Sequence, residues 1–360
     1  MENEMRILAI NPGSTSTKIS VFDEHEDIFT KNIKHTTEEI NSFKRIIDQY
    51  ELREKIILSE LQQAGISLSS IDVVVGRGGL VKPIPGGVYR INEALLNDLK
   101  DEKTRSHASN LGGVLAHEIA EAIKPGMDAF IVDPVVVDEL EPIARLSGMP
   151  EIPRISIFHA LNQKAVARRY ARERGIKYED LNLIVVHLGG GITVGAHTNA
   201  RVIDVNNGLD GEGPYSPERC GSLPVADLAK LCYSGKYSHD EMKKKLTGQG
   251  GLVAYLGTNS AYDVSRKVKA GDKEAELIYR GMAYQVSKDI GAMSTVLEGK
   301  VDAIVLTGGV AYDEMLCKWI EEKVAFIAQV VVYPGEDEMK ALEEGVYFAV
   351  KGEMEIREYK

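Results

Sequence analysis

The chain repeats its own plan, and the repeat constrains its fold more than any single motif does. Residues 7 to 22 read ILAINPGSTSTKISVF, and residues 181 to 198 read LNLIVVHLGGGITVGAHT. Each is an apolar run, a turn rich in glycine or hydroxyls, and a second run with the period of two expected of a strand. His187 stands where Asn11 stands, 176 positions later. A second pair follows in the same order. IDVVVGRGG at 71 to 79 matches VDAIVLTGG at 301 to 309, 230 positions apart. The two spacings differ by 54, so an insertion is expected in the second half, and the loop-rich stretch from about 205 to 265 fits it. ARVIDVNNG and DIFTKNI supply third strands. A capping box of Thr36 or Thr37 with Glu39 predicts a helix through Phe43, Ile46, Ile47 and Tyr50, ending ahead of Gly65. Further helices are expected at 109 to 123 and 160 to 174. Alternating strands and helices in two matched halves predict an α/β chain with a cleft between the halves.

The first turn raises the question of a ligand. It is no P-loop, because the G-x-x-x-x-G-K-[ST] spacing is absent and a strand follows it. A hairpin tip of this kind can still bind an anion through successive backbone N–H groups, with Ser14, Ser16 and Lys18 as added donors. The same residue types also make ordinary hairpin turns, and the local sequence leaves both readings open.

Composition removes several function classes. A net charge of −11 opposes binding to nucleic acid or to an anionic membrane surface. Three cysteines without a CxxC pair argue against a disulfide framework or a cysteine-only zinc site, and a reducing, cytoplasmic setting is expected. MENEMRIL carries no apolar targeting core, and no stretch reaches transmembrane length.

Duplicated halves with polar hairpin turns resemble the superfamily of acetate and sugar kinases, heat-shock cognates and actin. That resemblance implies a duplicated two-domain, ribonuclease H-like (actin-like ATPase) α/β fold with an interdomain cleft. The N-terminal domain would be 1–152 plus 340–360 and the nucleotide-binding C-terminal domain 153–339, with hinges near 152 and 340. INPGSTSTKISVF looks like the first phosphate motif of the acetate kinase branch, HLGGG like the second, and DAIVLTGGV like the adenosine motif. VGRGGLVKPIPGGVY and GLDGEGPYSPERCGSLP resemble more narrowly the kinases of butyrate and branched short-chain acids. The implied activity is reversible phosphoryl transfer between ATP and butyrate, giving ADP and butyryl phosphate. Mg2+ would be the metal, and the protein a homodimer or higher homo-oligomer. Kinases of acetate, propionate or isobutyrate remain alternatives, as does a non-enzymatic nucleotide switch of the actin or heat-shock kind.

The resemblance also implies roles for single residues. Asn11, Ser14, Ser16 and Lys18 match the first phosphate turn. His187, Gly189, Gly190 and Gly191 match the second, and Gly308 and Gly309 the adenosine turn. Asp133 matches an acidic active-site residue, His159 a phosphate-contacting histidine, and Arg219 an arginine acting on the transferring phosphoryl group. Asn11, Asp133 and Glu338 are the implied metal residues, with Glu336 as an alternative register. There are departures. The His-Arg pair that acetate kinases carry before the GRGG-like stretch falls at Val73-Val74, which leaves Arg77 as the arginine there. A second histidine of acetate kinases falls at Gln163, and the asparagine of their second phosphate turn at Gly190.

The chemistry suits these residue types. Charge spread over three phosphoryl oxygens fits the planar fork of an arginine. A carboxylate acceptor is already ionised at neutral pH and needs a cation rather than a base, which Arg77 or Arg219 can supply. Val81, Pro83, Ile84 and Pro85 are candidates for an apolar slot around an alkyl tail.

Overall fold

The computed structural model describes residues 5–101 and 107–360. It divides into two compact units, Met1–Val137 with Asp337–Lys360, and Asp138–Glu336.

The first unit is built on β1 (Arg6–Pro12), β2 (Ser16–Asp23), β3 (Glu26–Lys34), β4 (Val73–Arg77), β5 (Val88–Arg90), β6 (Ala129–Val132) and, from the C-terminal end of the chain, β12 (Ile356–Glu358). They form one sheet in the order β12-β5-β6-β4-β1-β2-β3. β1, β2 and β3 form an antiparallel meander, and β4 and β6 run parallel to β1 on its other side. Ile7 to Ile10 are all buried, which requires cover on both faces. Leu8, Ile10, Val74 and Ile131 pack with Leu111, Val114 and Leu115 of helix Asn110–Ile123. Helix Glu338–Val350 also packs on β1, β4 and β6, with Gly345 against Val132.

The second unit contains β7 (Leu183–Leu188), β8 (Ile192–Thr198), β9 (Arg201–Val205), β10 (Ala303–Gly308) and β11 (Val330–Pro334). Their order is β11-β10-β7-β8-β9, again with an antiparallel meander on one side and two parallel strands on the other. Ile184, Val186 and Leu188 pack with helix Lys273–Val296, whereas Leu183 and Val185 pack with Ala167 and Tyr170 of helix Ala160–Arg174. β1 to β4 and β6 thus correspond in order and direction to β7 to β11, as the repeated sequence requires.

Two local expectations differ. The capping box forms, with Thr36 Oγ1 accepting the Glu39 N–H at 3.2 Å and the Glu39 carboxylate accepting the Thr36 N–H at 2.7 Å. The helix nevertheless stops after Asn41, and Ser42 Oγ donates to the Glu39 carbonyl at 2.6 Å, competing with helical continuation. A 3-10 turn, Ile46–Gln49, then leads into helix Tyr50–Gln63. The stretch expected to be loop-rich carries four short helices between Val225 and Lys269. Among the described residues, no helix is long and apolar enough to cross a membrane.

Candidate active site

In the first unit, β1 delivers Asn11 to the end of the sheet, and the strand register sets it opposite Lys18 on β2. The Gly13 N–H donates to the Ser16 carbonyl at 2.7 Å and closes the tip. Ser14 and Lys18 are exposed and Ser16 half-buried, so their polar atoms are accessible. Asn11 Nδ2 donates to Glu338 Oε2 at 2.5 Å. Arg77, the last residue of β4, lies 2.9 Å from Glu338 Oε1 and donates to Oε2 at 3.0 Å; its Nη1 is 3.4 Å from Asn11 Oδ1. The carboxylate assigned to the metal and the cation assigned to the acceptor are therefore an ion pair here.

Asp133 follows β6, is buried, and adopts a φ of +37°, outside the common regions for a side-chain-bearing residue. A pair of hydrogen bonds with Gly87 holds it there. Asp133 Oδ1 accepts the Gly87 N–H at 2.7 Å, and the Asp133 N–H donates to the Gly87 carbonyl at 3.0 Å. Backbone strain maintained by its surroundings is a feature of functional sites. Val81 and Ile84 are half-buried against the core of this unit, while Pro83 and Pro85 are exposed.

In the second unit, β7 ends in the Gly189-Gly190-Gly191 turn, where the Gly189 N–H donates to the Gly191 carbonyl at 3.1 Å. His187 Nδ1 is 2.7 Å from Asn162 Oδ1, and its ring stacks on that of His159, with centroids 3.7 Å apart and planes 7° from parallel. Its buried Nε2 lies 2.9 Å from Glu336 Oε1, but off the line of a hydrogen bond. The two alternative carboxylates thus have different neighbours: Glu336 sits by His187, and Glu338 by Asn11 and Arg77.

Arg219 is held directly against the second phosphate turn. Its Nη1 donates to the Gly208 carbonyl, and its buried Nε has no hydrogen-bond partner among the described residues. A Cβ at residue 191 would fall 1.4 Å from Nη1, so only glycine fits there. Burial lowers the Arg219 pKa, while Glu218 and Asp210 raise it, and the group remains a cation at neutral pH. Gly308 has a φ of +92°, and a Cβ there would meet the Leu188 carbonyl at 2.3 Å. The adenosine turn therefore lies flush with the end of β7, and Gly309 opens the following 3-10 turn.

A buried chain of hydrogen bonds ends on His159. Tyr178 Oη donates to His197 Nδ1 at 2.6 Å, which leaves His197 Nε2–H to donate to Gln163 Oε1 at 2.9 Å. Gln163 Nε2 donates to the Thr193 carbonyl at 3.1 Å and to Thr193 Oγ1 at 2.8 Å. The Thr193 hydroxyl is in turn hydrogen-bonded to His159 Nδ1 at 3.0 Å. Burial drives the His197 pKa well below its ordinary value, so that ring is neutral, as the chain requires. Sequence analysis gave Gln163 no role beyond its departure from acetate kinases.

Arg53 was also missed. It lies on helix Tyr50–Gln63 at the head of a stripe with Ile57 and Leu61, each four residues apart and all buried. An arginine in register with an apolar stripe was the signal available in the sequence.

Known proteins resemble this chain over nearly all of its length. Residues 152–325 match the model of the Acetokinase family. Butyrate kinase 2 of Clostridium acetobutylicum is 56% identical over 357 residues, covering 99% of this chain and 100% of that protein. The crystal structure of Porphyromonas gingivalis acetate kinase superposes with a TM-score of 0.79 at 16% identity, covering 95% of this chain and 99% of that one. A propionate kinase from Francisella tularensis gives 0.72 at 19% identity, with the same coverage. At these identities the two structures establish the fold.

Proposed function

The chain belongs to the acetokinase family, and on that footing we propose that it transfers a phosphoryl group reversibly between ATP and butyrate, giving ADP and butyryl phosphate. The full-length match to a butyrate kinase carries the choice of acid. In the forward direction the bond between the γ-phosphorus and the β–γ bridging oxygen breaks, and a bond from phosphorus to a carboxylate oxygen forms. The acceptor is already ionised, so no proton need be removed.

The roles follow from the chemistry of each group. The Asn11–Lys18 turn and the His187–Gly191 turn contact phosphates, and the Gly308-Gly309 turn contacts adenosine. Arg219 stabilises charge on the transferring phosphoryl oxygens, where a fixed cation in a desolvated setting is most effective. His159 contacts the same oxygens, its ring held by Thr193, which Gln163 holds in turn. Arg77 neutralises the carboxylate acceptor once it leaves Glu338, and Val81 and Ile84 contact the alkyl tail.

Mg2+ fits the oxygens of Asn11, Asp133 and Glu338. Among the described residues no cluster of three or more His, Cys, Asp or Glu side chains could hold a metal by itself, which suits an ion that keeps waters and takes phosphate oxygens. When bound, the ion would neutralise phosphate charge. A homodimer or higher homo-oligomer and a cytoplasmic setting belong to the same proposal.

Acyl hydroxamate formation from ATP and a panel of acids, acetate to isovalerate, tests the reading. Two extra buried methylenes should favour butyrate over acetate by roughly tenfold in kcat/KM. Acetate at parity or better would overturn the choice of butyrate, and no hydroxamate with any acid would overturn carboxylate phosphorylation.

A further inference from the structure

The turn at residues 13–16 is shaped from behind by one buried side chain. Its four successive carbonyls are all engaged. Arg53 Nη1 donates to those of Gly13 and Ser16 at 2.9 and 3.1 Å, Arg53 Nη2 to that of Ser14 at 3.2 Å, and the His35 N–H to that of Thr15 at 2.9 Å. The C=O and the following N–H of a trans peptide point in opposite directions. Among the described residues none of the peptide bonds is cis. Carbonyls of Gly13 and Ser14 drawn toward Arg53 therefore aim the N–H groups of Ser14 and Thr15 the other way. Both of those residues are exposed.

The guanidinium itself is 1% exposed. Its remaining bonds go to Gln49 Oε1, at 3.2 Å from Nε and 2.8 Å from Nη2, and to Thr17 Oγ1 at 3.0 Å. The Thr17 hydroxyl is in turn hydrogen-bonded to His35 Nε2 at 2.8 Å. Every one of these partners is neutral, and among the described residues no carboxylate pairs with Arg53. Burial lowers its pKa to about 10, so it is still protonated at neutral pH. A buried cation without an anion is costly to fold around. The compensation is missing among the described residues and sits naturally on the exposed side of the turn, where an anion would bind.

We infer that Arg53 is the positioning residue of the first phosphate turn: it holds the carbonyls inward, so that the N–H groups of Ser14 and Thr15 face a nucleotide phosphate, and its charge is balanced by that phosphate. Arg53 does not touch the ligand; it acts through the backbone. The inference rests on the assignment of this turn to phosphate under the proposed function.

The test uses the full chain, with calorimetric titration of ADP and steady-state kinetics on wild type, Arg53→Lys and Arg53→Met. Lysine keeps the charge but cannot span three carbonyls, and methionine keeps neither feature. Both should weaken ADP binding by roughly tenfold or more, methionine further than lysine, with the KM for butyrate unchanged. A folded Met variant with wild-type ADP affinity would overturn the inference. So would a parallel rise in both KM values with a falling Tm, which marks general loosening. If the Met variant does not fold, the Lys variant decides, and wild-type ADP affinity in it overturns the inference. Wild type that binds ADP yet phosphorylates no carboxylate would sink the proposed reaction without touching this result; wild type that fails to bind ADP would sink this inference.

Discussion

Arg219 and residue 191 share one space: Nη1 of the arginine occupies the position that any Cβ at 191 would need. Gly191→Ala must therefore displace the guanidinium or distort the turn. If Arg219 acts on the transferring phosphoryl group, Gly191→Ala and Arg219→Ala should each lower kcat by roughly 10³-fold, judged from arginine fingers in other phosphoryl-transfer enzymes. The double variant should lose little more than either single one, because both remove the same interaction. Steady-state kinetics on the three variants decides the point, and a Gly191→Ala enzyme keeping half its kcat would detach Arg219 from catalysis.

Gln163→Leu should cut the hydrogen-bond chain that holds the His159 ring through Thr193. A lost positioning partner typically costs between about tenfold and a hundredfold, and the loss should fall on kcat with both KM values little changed. The kcat–pH profile should also change shape, because Thr193 loses the amide that orients its bond to His159. A variant with unaltered kcat and profile would show that the chain is only structural.

Glu338 and Glu336 make opposite predictions for the metal. Glu338 sits on Asn11, whereas Glu336 sits by His187. Glu338→Gln should move the Mg2+ concentration for half-maximal activity up by roughly tenfold or more, and Glu336→Gln should leave it in place. Titration of activity with Mg2+ at fixed ATP checks this; the reverse pattern would exchange the two carboxylates.

Stability should fall as pH drops from about 6.5 toward 5, the range below the ordinary histidine pKa. Burial lowers the pKa values of His35, His107 and His197, so these rings are neutral in the folded chain and take up protons in the unfolded one. Their contribution is present above the unfolded value and is lost as pH falls. Asp289 works the other way: burial raises its pKa to about 6, so the folded chain binds that proton first and gains stability as pH falls. Three histidines outweigh one carboxylate, and Asp289→Asn should steepen the loss. Denaturant midpoints between pH 8 and 5 measure both effects, and a wild-type profile that rises on acidification contradicts the balance.

Much of the fold was legible because its signals are local. The strand–turn–strand units and the two GG-ended strands are marked by apolar alternation and turn residues within a few positions, and they formed as β1–β2, β7–β8, β4 and β10. The helices expected at 109–123 and 160–174 formed as Asn110–Ile123 and Ala160–Arg174. The helix expected from Thr36 did not run on to Tyr50, because Ser42 takes a carbonyl that a continuing helix would use. The four helices between Val225 and Lys269 were hidden by the glycine and proline content around them.

The sequence by itself determined the duplicated α/β plan, the placing of the Gly13–Ser16 and Gly189–Gly191 turns at strand ends, and the family. What only the tertiary structure decided was which side chains meet. Arg77 and Glu338 are 261 positions apart, yet they pair because β4 lies beside β1 and a helix returns from the end of the chain to cover both. Gln163 reaches Thr193, and Arg53 reaches the back of the 13–16 turn, because of where a helix packs on a sheet. Periodicity says which face of an element is buried. It does not say which element will lie against that face, and the contacts of a buried polar group depend on sheet order, register and packing together.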